Sequence, residues 1–392
     1  MRLLIRNGTL ITPFEKVEHG FVAVEDGIIR AVGEACDQPS VRFDREIDAE
    51  ENYVTPGLID THVHGGGGYS TMDGTPESVV NMAKAHAAYG TTSIVPTTFT
   101  APMDTTLDAI DAVREAKERC RDAHILGIHL EGPFLSPAQA GAQDPRNLML
   151  PDPENVKTLL DRWEGGILMM GAAPELPGGL ELGAELVRRG IRATIAHSNA
   201  DFDTVMTAVT YGYSDVTHLY SGCSNLHRVG PFRVAGVVEA GLYADALTAQ
   251  VIGDGKHLPA SLLRLIYKCK GPDRIVLITD GLAQSAGGAV DGQVIVQESS
   301  GQTIICEDGV MKLIDRKAFA GSIATMNRTV KNMVELADVP VAEAFRMATV
   351  NPARLIGART KGRLAPGYDA DICLFDKAFE AQTVIIDGTV RE

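Results

Sequence analysis

The chain has 392 residues, 45% of them apolar and 22% charged, with a formal net charge of −15 at pH 7. Such a composition is that of a globular enzyme, too long for one ordinary domain and suited to a barrel with a small companion. The acidic balance argues against nucleic acid or an anionic membrane as partner, because counterion release needs a basic face, but one or two local cations suffice for a small anion. No apolar run approaches the roughly 20 residues of a membrane span, and Met1–Arg6 is too short an apolar start for a signal peptide. Cys36, Cys120, Cys223, Cys269, Cys306 and Cys373 are scattered without Cys-x-x-Cys pairing, so a reduced, cytoplasmic protein is expected.

In chain order, Leu3–Asn7, Phe21–Val24 and Ile28–Val32 read as short strands separated by the turns Asn7-Gly8 and Asp26-Gly27. A strand–helix alternation follows. Its candidate strands are Gly57–His62, Ser93–Thr98, Ile125–Glu131, Ile167–Ala172, Arg192–His197, Asp215–Leu219, Ala246–Ile252 and Ile275–Thr279. Helical patterns fall between them at Glu77–Tyr89, Thr105–Arg121, Leu180–Arg189, Phe202–Tyr211 and Ser261–Lys268. Eight such units favour an α/β fold of the (β/α)8 TIM barrel type over an open sheet. The stretch 291–319 breaks the rhythm with alternating strands at Val294–Val296, Thr303–Cys306 and Val310–Leu313 and reads as a β-hairpin insertion, leading to Ala320-Gly-Ser322 at the barrel mouth. Helices at Asn327–Leu336 and Val341–Thr349 complete a barrel domain over 55–359. Strands recur at Ala370–Phe375 and Thr383–Ile386. Neither β-rich end has enough core to stand alone, so 1–54 and 360–392 are expected to join as one small β-sandwich domain.

The chemistry is concentrated where the apolar runs end. His62 and His64 flank Val63 just before Gly65–Gly68, and residues i and i+2 of a strand share a side, so both imidazoles can reach one metal. Glu131, His197, His218 and Asp280 end later apolar runs in the same way. A carboxylate at such a place is costly unless paired or bound to a cation, and barrel closure brings distant strand ends together. Imidazole with carboxylate suits zinc foremost, then iron, manganese or cobalt, as one or two divalent ions. Asp280 reads as a general base toward a water whose acidity a metal raises. The glycine run reads as room for the loop rather than as a phosphate cradle. His227, Arg228 and Arg233 supply positive charge just past the sixth strand. Neither a phosphate-loop motif nor a Gly-x-Ser-x-Gly elbow occurs.

These segments resemble the N-acetylglucosamine-6-phosphate deacetylases of the amidohydrolase superfamily. The likeness runs over nearly the whole chain, through Pro56–Gly65, Gly90–Ser93, His129–Phe134, Ala140–Gln143, Ala173–Glu175, Ala196–Ala200, Thr217–Tyr220, Asp254–His257, Ile278–Asp280 and Ala320–Ser322. His129-Leu-Glu-Gly-Pro-Phe134 is its most specific part, with glutamate where many superfamily members use a carboxylated lysine. The resemblance implies that Glu131, His197 and His218 hold a main metal, that His62 and His64 hold a second with Glu131 able to bridge, and that Asp280 shuttles the proton. It implies substrate contacts from Gln143, Ser221, Gly222, Arg228, His257 and Ser322, with His257 and Arg228 on the sugar phosphate and the arginine reaching across a homodimer. Two departures stand out: Ser221-Gly-Cys223 replaces the usual Asn-Ala-Met, and Gln143 stands where some relatives have histidine.

The expected reaction is hydrolysis of the acetamide of N-acetyl-D-glucosamine 6-phosphate to D-glucosamine 6-phosphate and acetate. The alternatives are another N-acetylhexosamine phosphate, another amide or a deamination within the superfamily, and a non-catalytic barrel scaffold. No nucleic-acid or membrane partner is expected.

Overall fold

The computed structural model describes residues 1–12, 15–296 and 302–391. Eight parallel strands organise the middle of the chain, in two arcs. Leu58–Val63 pairs with Thr91–Pro96 in the first. Ile128–Glu131, Ile167–Ala172, Arg192–Ile195, Tyr213–Val216, Thr248–Ile252 and Ile275–Ile278 follow one another in the second. Single parallel bridges link the arcs at both ends, Thr97 to His129 and Val63 to Gly281. Asp60 joins the first strand to the eighth, accepting from the Thr279 hydroxyl at 2.5 Å and the His62 amide at 3.2 Å. Most of these strands are apolar and buried along their length, as Ile275-Val-Leu-Ile278 is, which is what a parallel sheet covered on both faces requires.

The covering helices carry apolar positions at helical spacing. Met103–Arg119 buries Thr106, Ala109, Ile110, Val113 and Ala116, one stripe of a 3.6-residue period. Pro76–Ala87 starts on a Thr75 cap with proline in its first turn, and the Asp152 and Asp201 carboxylates cap Pro153–Leu160 and Phe202–Thr210. The helices expected from periodicity are all present within a few residues. Pro153–Leu160, Val237–Tyr243 and Val350–Leu355 were not anticipated; each is eight residues or shorter and offers too few turns for a periodic signal.

Both chain ends enter one eight-stranded sheet. Its order runs Thr389–Arg391, Ala381–Ile386, Ile372–Phe375, Tyr53–Pro56, Arg2–Ile11, Lys16–Glu25, Ile28–Glu34, with Arg45–Asp48 beside Arg2–Ile11. Leu3, Ile5, Leu10, Val22, Val24, Ile29, Val54, Ile372, Leu374 and Ile385 share one buried cluster, so the two termini complete a core that neither could build.

The insertion after the eighth strand is a three-stranded antiparallel sheet, Val294–Val296, Thr303–Glu307 and Val310–Leu313, rather than a hairpin; its residues 297–301 lie outside the described ones. Ile304, Cys306 and Met311 pack with Leu282 and Ala320 against Phe99, which brings Ala318–Gly321 to the site described next.

Candidate active site

A pocket of about 300 Å³ opens where the parallel strands end, lined by His64, Phe99, Glu131, Gln143, His197, Tyr220, Ser221, Gly222, His218, His257, Asp280 and Phe319 among others. His62 lies in the first strand and Glu131 ends the third. His197, His218 and Asp280 were expected within or immediately after strands. Instead the fifth, sixth and eighth strands stop at Ile195, Val216 and Ile278, one residue or more before them. Each of the three has a left-handed backbone, with φ of 43°, 27° and 49°. A non-glycine residue seldom rests there, and the surroundings over-determine it. Ser198 and Asn199 both donate to the Glu175 carboxylate, at 2.7 and 2.6 Å, while Asp280 donates to His62 O and accepts from Ser322 N.

The four imidazoles are oriented alike. Nδ1 faces Gln250 Oε1 in His62 at 3.2 Å, Thr97 O in His64 at 3.2 Å, Gln139 O in His197 at 2.8 Å and Ser221 O in His218 at 3.0 Å. All four partners are acceptors, so Nδ1 carries the hydrogen and Nε2 presents a lone pair. Those lone pairs face the two carboxylates. His62 Nε2 is 3.2 Å from His64 Nε2 and 3.4 Å from Asp280 Oδ1. His64 Nε2 lies 3.1 Å from the same oxygen and 3.4 Å from Glu131 Oε2. Glu131 Oε1 stands 2.7 Å from His218 Nε2 and 3.3 Å from His197 Nε2.

Six acceptors packed this closely repel one another unless a cation or protons lie between them. Donors about 2.0–2.1 Å from a tetrahedral ion lie about 3.3 Å apart, which is the spacing seen. The donor set therefore fits a metal, with His62, His64 and Asp280 on one side and His62, Glu131 and His218 on the other. Without an ion the two carboxylates draw a proton onto the His64 imidazole in its place. Burial would lower the His64 pKa, yet Asp280 and Glu131 push it up to about 9. Burial would raise Asp280, yet His64 and its neighbours hold it at about 2. Glu131 stays well below the usual carboxylate range against the same penalty, through His62, His197 and His218.

Around this pit the remaining expected residues divide. Gln143 accepts from Thr100 N at 2.8 Å and donates to Glu131 Oε2 at 2.8 Å, which leaves one amide hydrogen. His257 lines the pocket with Nδ1 held by Asp254 Oδ2 at 2.7 Å and its ring 4.6 Å from Phe319. Ser221 and Gly222 line the pocket. Ser322 is fully buried, and its hydroxyl donates to Thr279 O; it supports the Asp280 turn and does not line the pocket. Arg228 does not line it either. It sits on an exposed hairpin, His227–Val229 with Phe232–Val234.

Several participants were not anticipated. Phe99 stacks on His64 at 3.9 Å, and nothing in its local sequence announces this. Gln250 and Asp215 are fully buried polar residues inside strands, a signal that was present and unread. His86, fully buried, donates to Gly65 O at 2.9 Å, where a side chain on Gly66 would strike its ring at 2.5 Å. The glycine run thus gives room, as expected. A third group, His124, Asp371 and Asp387, lies beside Lys361, whose Nζ at 2.6 Å from Asp371 already supplies the positive charge.

Known proteins are similar to this chain along its length. The profile described as Amidohydrolase family matches residues 53–210 and 273–391. The N-acetylglucosamine-6-phosphate deacetylase of Lysinibacillus sphaericus is 31% identical over 404 residues, covering 100% of this chain and 98% of its own. The N-acetylgalactosamine-6-phosphate deacetylase of Escherichia coli O157:H7 is 32% identical over 390 residues, covering 99% of each. Among solved structures, a mutant N-acetyl-D-glucosamine-6-phosphate deacetylase from Mycobacterium smegmatis, in complex with N-acetyl-D-glucosamine-6-phosphate, superposes with a TM-score of 0.89 at 31% identity, over 100% of this chain and 98% of that one. With this ligand pit, its fold and relatives of such length, the chain belongs to the amidohydrolase family, among its N-acetylglucosamine-6-phosphate deacetylases.

Proposed function

We propose that this chain hydrolyses the acetamide of N-acetyl-D-glucosamine 6-phosphate, giving D-glucosamine 6-phosphate and acetate, as the names of its relatives indicate for them. The observation that carries the reading is the pit of four Nε2 lone pairs and two carboxylates at the floor of the pocket. His62, His64, Glu131, His197, His218 and Asp280 would hold one or two divalent ions, zinc first among zinc, iron, manganese and cobalt. Bound there, a metal polarises the acetamide carbonyl and makes water acidic near neutral pH.

The chain's own groups do the rest. Asp280 lines the pocket and takes a proton from the attacking water, then delivers it to the amine nitrogen as the C–N bond breaks. Gln143, with its remaining amide hydrogen, and His257 line the pocket and would stabilise the carbonyl oxygen as it gains charge. Ser221 and Gly222 border the sugar phosphate.

The phosphate calls for a cation; among the described residues no lysine or arginine lines the pocket, and Arg228 would supply it from a second copy. Its hairpin exposes Leu226 by 56%, Val229 by 58% and Phe232 by 73%, apolar surface that a homodimer would cover. The two bridged arcs support a closed (β/α)8 barrel over 55–359. The terminal sheet, with apolar clusters on both faces, supports a small sandwich over 1–54 and 360–392. No described helix is long and apolar enough to cross a membrane; together with six free cysteines this supports a cytoplasmic location.

A second reading, the galacto-configured phosphate, is favoured by the Escherichia coli relative, 32% identical over 390 residues against 31% over 404 for that of Lysinibacillus sphaericus. Acetate release tests both. We expect turnover of one hexosamine 6-phosphate, and removal of the phosphate to lower kcat/KM by about 10–100-fold, as loss of about 1.5–3 kcal/mol of charge-assisted hydrogen bonding would. Absence of acetate from both phosphates overturns the reading, and preference for the galacto sugar selects the second.

A further inference from the structure

Beneath the pocket runs a buried polar chain that the reaction above does not use. His62 belongs to both ligand groups and is wholly buried. The other three imidazoles are oriented by backbone carbonyls, which cannot turn over. His62 alone depends on a side chain, Gln250, whose Oε1 is 3.2 Å from its Nδ1.

A glutamine amide can present either end to a neighbour. With its NH2 end toward His62, Nδ1 would have to accept, and the ring hydrogen would move to Nε2 and point into the ligand pit. What forbids this lies on the far side of Gln250. Its Nε2 donates to Asp215 Oδ2 at 2.6 Å, and a carboxylate has no hydrogen to return. Asp215 is itself pinned by Thr194 Oγ1 at 3.0 Å and by the Thr248 hydroxyl. It is fully buried, and among the described residues no lysine or arginine forms an ion pair with it. Burial pushes its carboxyl up, and the donors from Thr248, Gln250 and Thr194 pull the other way; a charge kept there is costly, and its effect on Gln250 gives it a purpose.

We propose that Asp215 and Gln250 are positioning residues that commit His62 to its metal-binding tautomer, so that ion uptake by the ligand groups His62 joins depends on a carboxylate two residues removed from the metal. The proposal rests on the metal-site reading above.

The test is a titration of the metal-free full chain with Zn2+ against a competing chelator, with ion counts per chain and thermal melting of the metal-free protein. Asp215→Asn lets two amides satisfy each other with either end of Gln250 toward His62. We expect affinity for one ion to fall about 10–100-fold, the range for groups that orient metal ligands, while the metal-free melting temperature holds or rises. Gln250→Leu should lose as much. Gln250→Glu, sharing one proton with Asp215, keeps an acceptor toward His62 and should lose less affinity than Gln250→Leu. The double variant Asp215→Asn/Gln250→Leu should lose no more than Gln250→Leu alone, since the two act in series. Wild-type affinity in Asp215→Asn overturns the proposal, as does a fall in metal-free stability that tracks the fall in affinity across the series. Should Asp215→Asn not fold, Thr194→Val keeps the charge and removes one of its donors; a weaker loss in the same direction supports the relay, and no loss overturns it. His62→Ala serves as reference for losing the ion. A wild-type chain that takes up no ion overturns the metal reading and this proposal together, whereas normal uptake by wild type and Asp215→Asn alike overturns only the relay.

Discussion

Gly222 offers a direct test of how tightly the pit is built. It lies in the loop after His218 with φ 56°, and a side-chain carbon there would stand 2.5 Å from His197 Nδ1 and 3.0 Å from Cε1. The ring has nowhere easy to go. Nδ1 is bonded to Gln139 O at 2.8 Å, and Nε2 faces Glu131 Oε1 at 3.3 Å. Restoring an ordinary carbon contact of about 3.5 Å requires a shift of about 1 Å. Gly222→Ala therefore carries two penalties. Left-handed backbone on alanine costs about 1–2 kcal/mol of stability, and misplacing a ligand by about 1 Å costs about 100-fold in rate. Gly165 separates them, since it too has positive φ, 75°, with nothing within 4 Å of an added carbon. In urea melts both alanine variants should lose about 1–2 kcal/mol. In acetate-release assays Gly165→Ala should keep its rate and Gly222→Ala should fall about 100-fold. Equal rates for the two would refute the claim that Gly222 is glycine for the sake of His197.

Asp280→Asn removes the proton carrier but leaves an oxygen ligand; turnover should drop by about 100–10,000-fold with ion content, measured by elemental analysis, unchanged, and near-normal acetate release would remove Asp280 from its role. Arg228→Ala should raise KM for the phosphorylated sugar by about 10–100-fold while sparing the unphosphorylated one, and Phe232→Ala should shift the chain toward monomer in analytical ultracentrifugation. Acid stability should carry the signature of Asp371: burial would raise its carboxyl, but His124 and Lys361 hold it at about 2 against an ordinary 3.8. A depressed folded pKa stabilises above the unfolded value and loses that contribution as pH falls through the folded one. About 2 kcal/mol should therefore be present at pH 6 and vanish between pH 4 and pH 2, and Asp371→Asn should abolish that slope in denaturant titrations; an unchanged slope assigns it elsewhere.

The fold was legible where burial imposes a period. Ile275-Val-Leu-Ile278 and Ile167–Ala172 are buried strands and read as such, because a parallel strand covered on both faces must be apolar nearly throughout. The amphipathic helices read as well, since Met103–Arg119 repeats its apolar positions over four turns. The pairing of Val54 with Leu374 could be expected only as an argument about insufficient core, not as a register. The short helices escaped because each has too few residues to establish a period, whereas the three strands of the insertion were legible and only their pairing into one sheet was not.

The site shows the converse. Alternation along a strand explains why His62 and His64 share a side, and it stops being informative for His197, His218 and Asp280, which stand beyond their strands in left-handed turns. A reading that extends the strand through His197 or His218 finds the right residue for an incomplete reason. What aims those side chains is a set of neighbours remote in sequence: Glu175 on the loop after His197, His62 O and Ser322 N on either side of Asp280. Strained turns of this kind persist only where their surroundings hold them, so residues that never touch substrate decide where the ligands point. Gln250, Asp215 and Ser322 are of that class. Their sequence mark is a polar residue in a stretch that burial should have made apolar, and such exceptions are the places in this chain to look for chemistry.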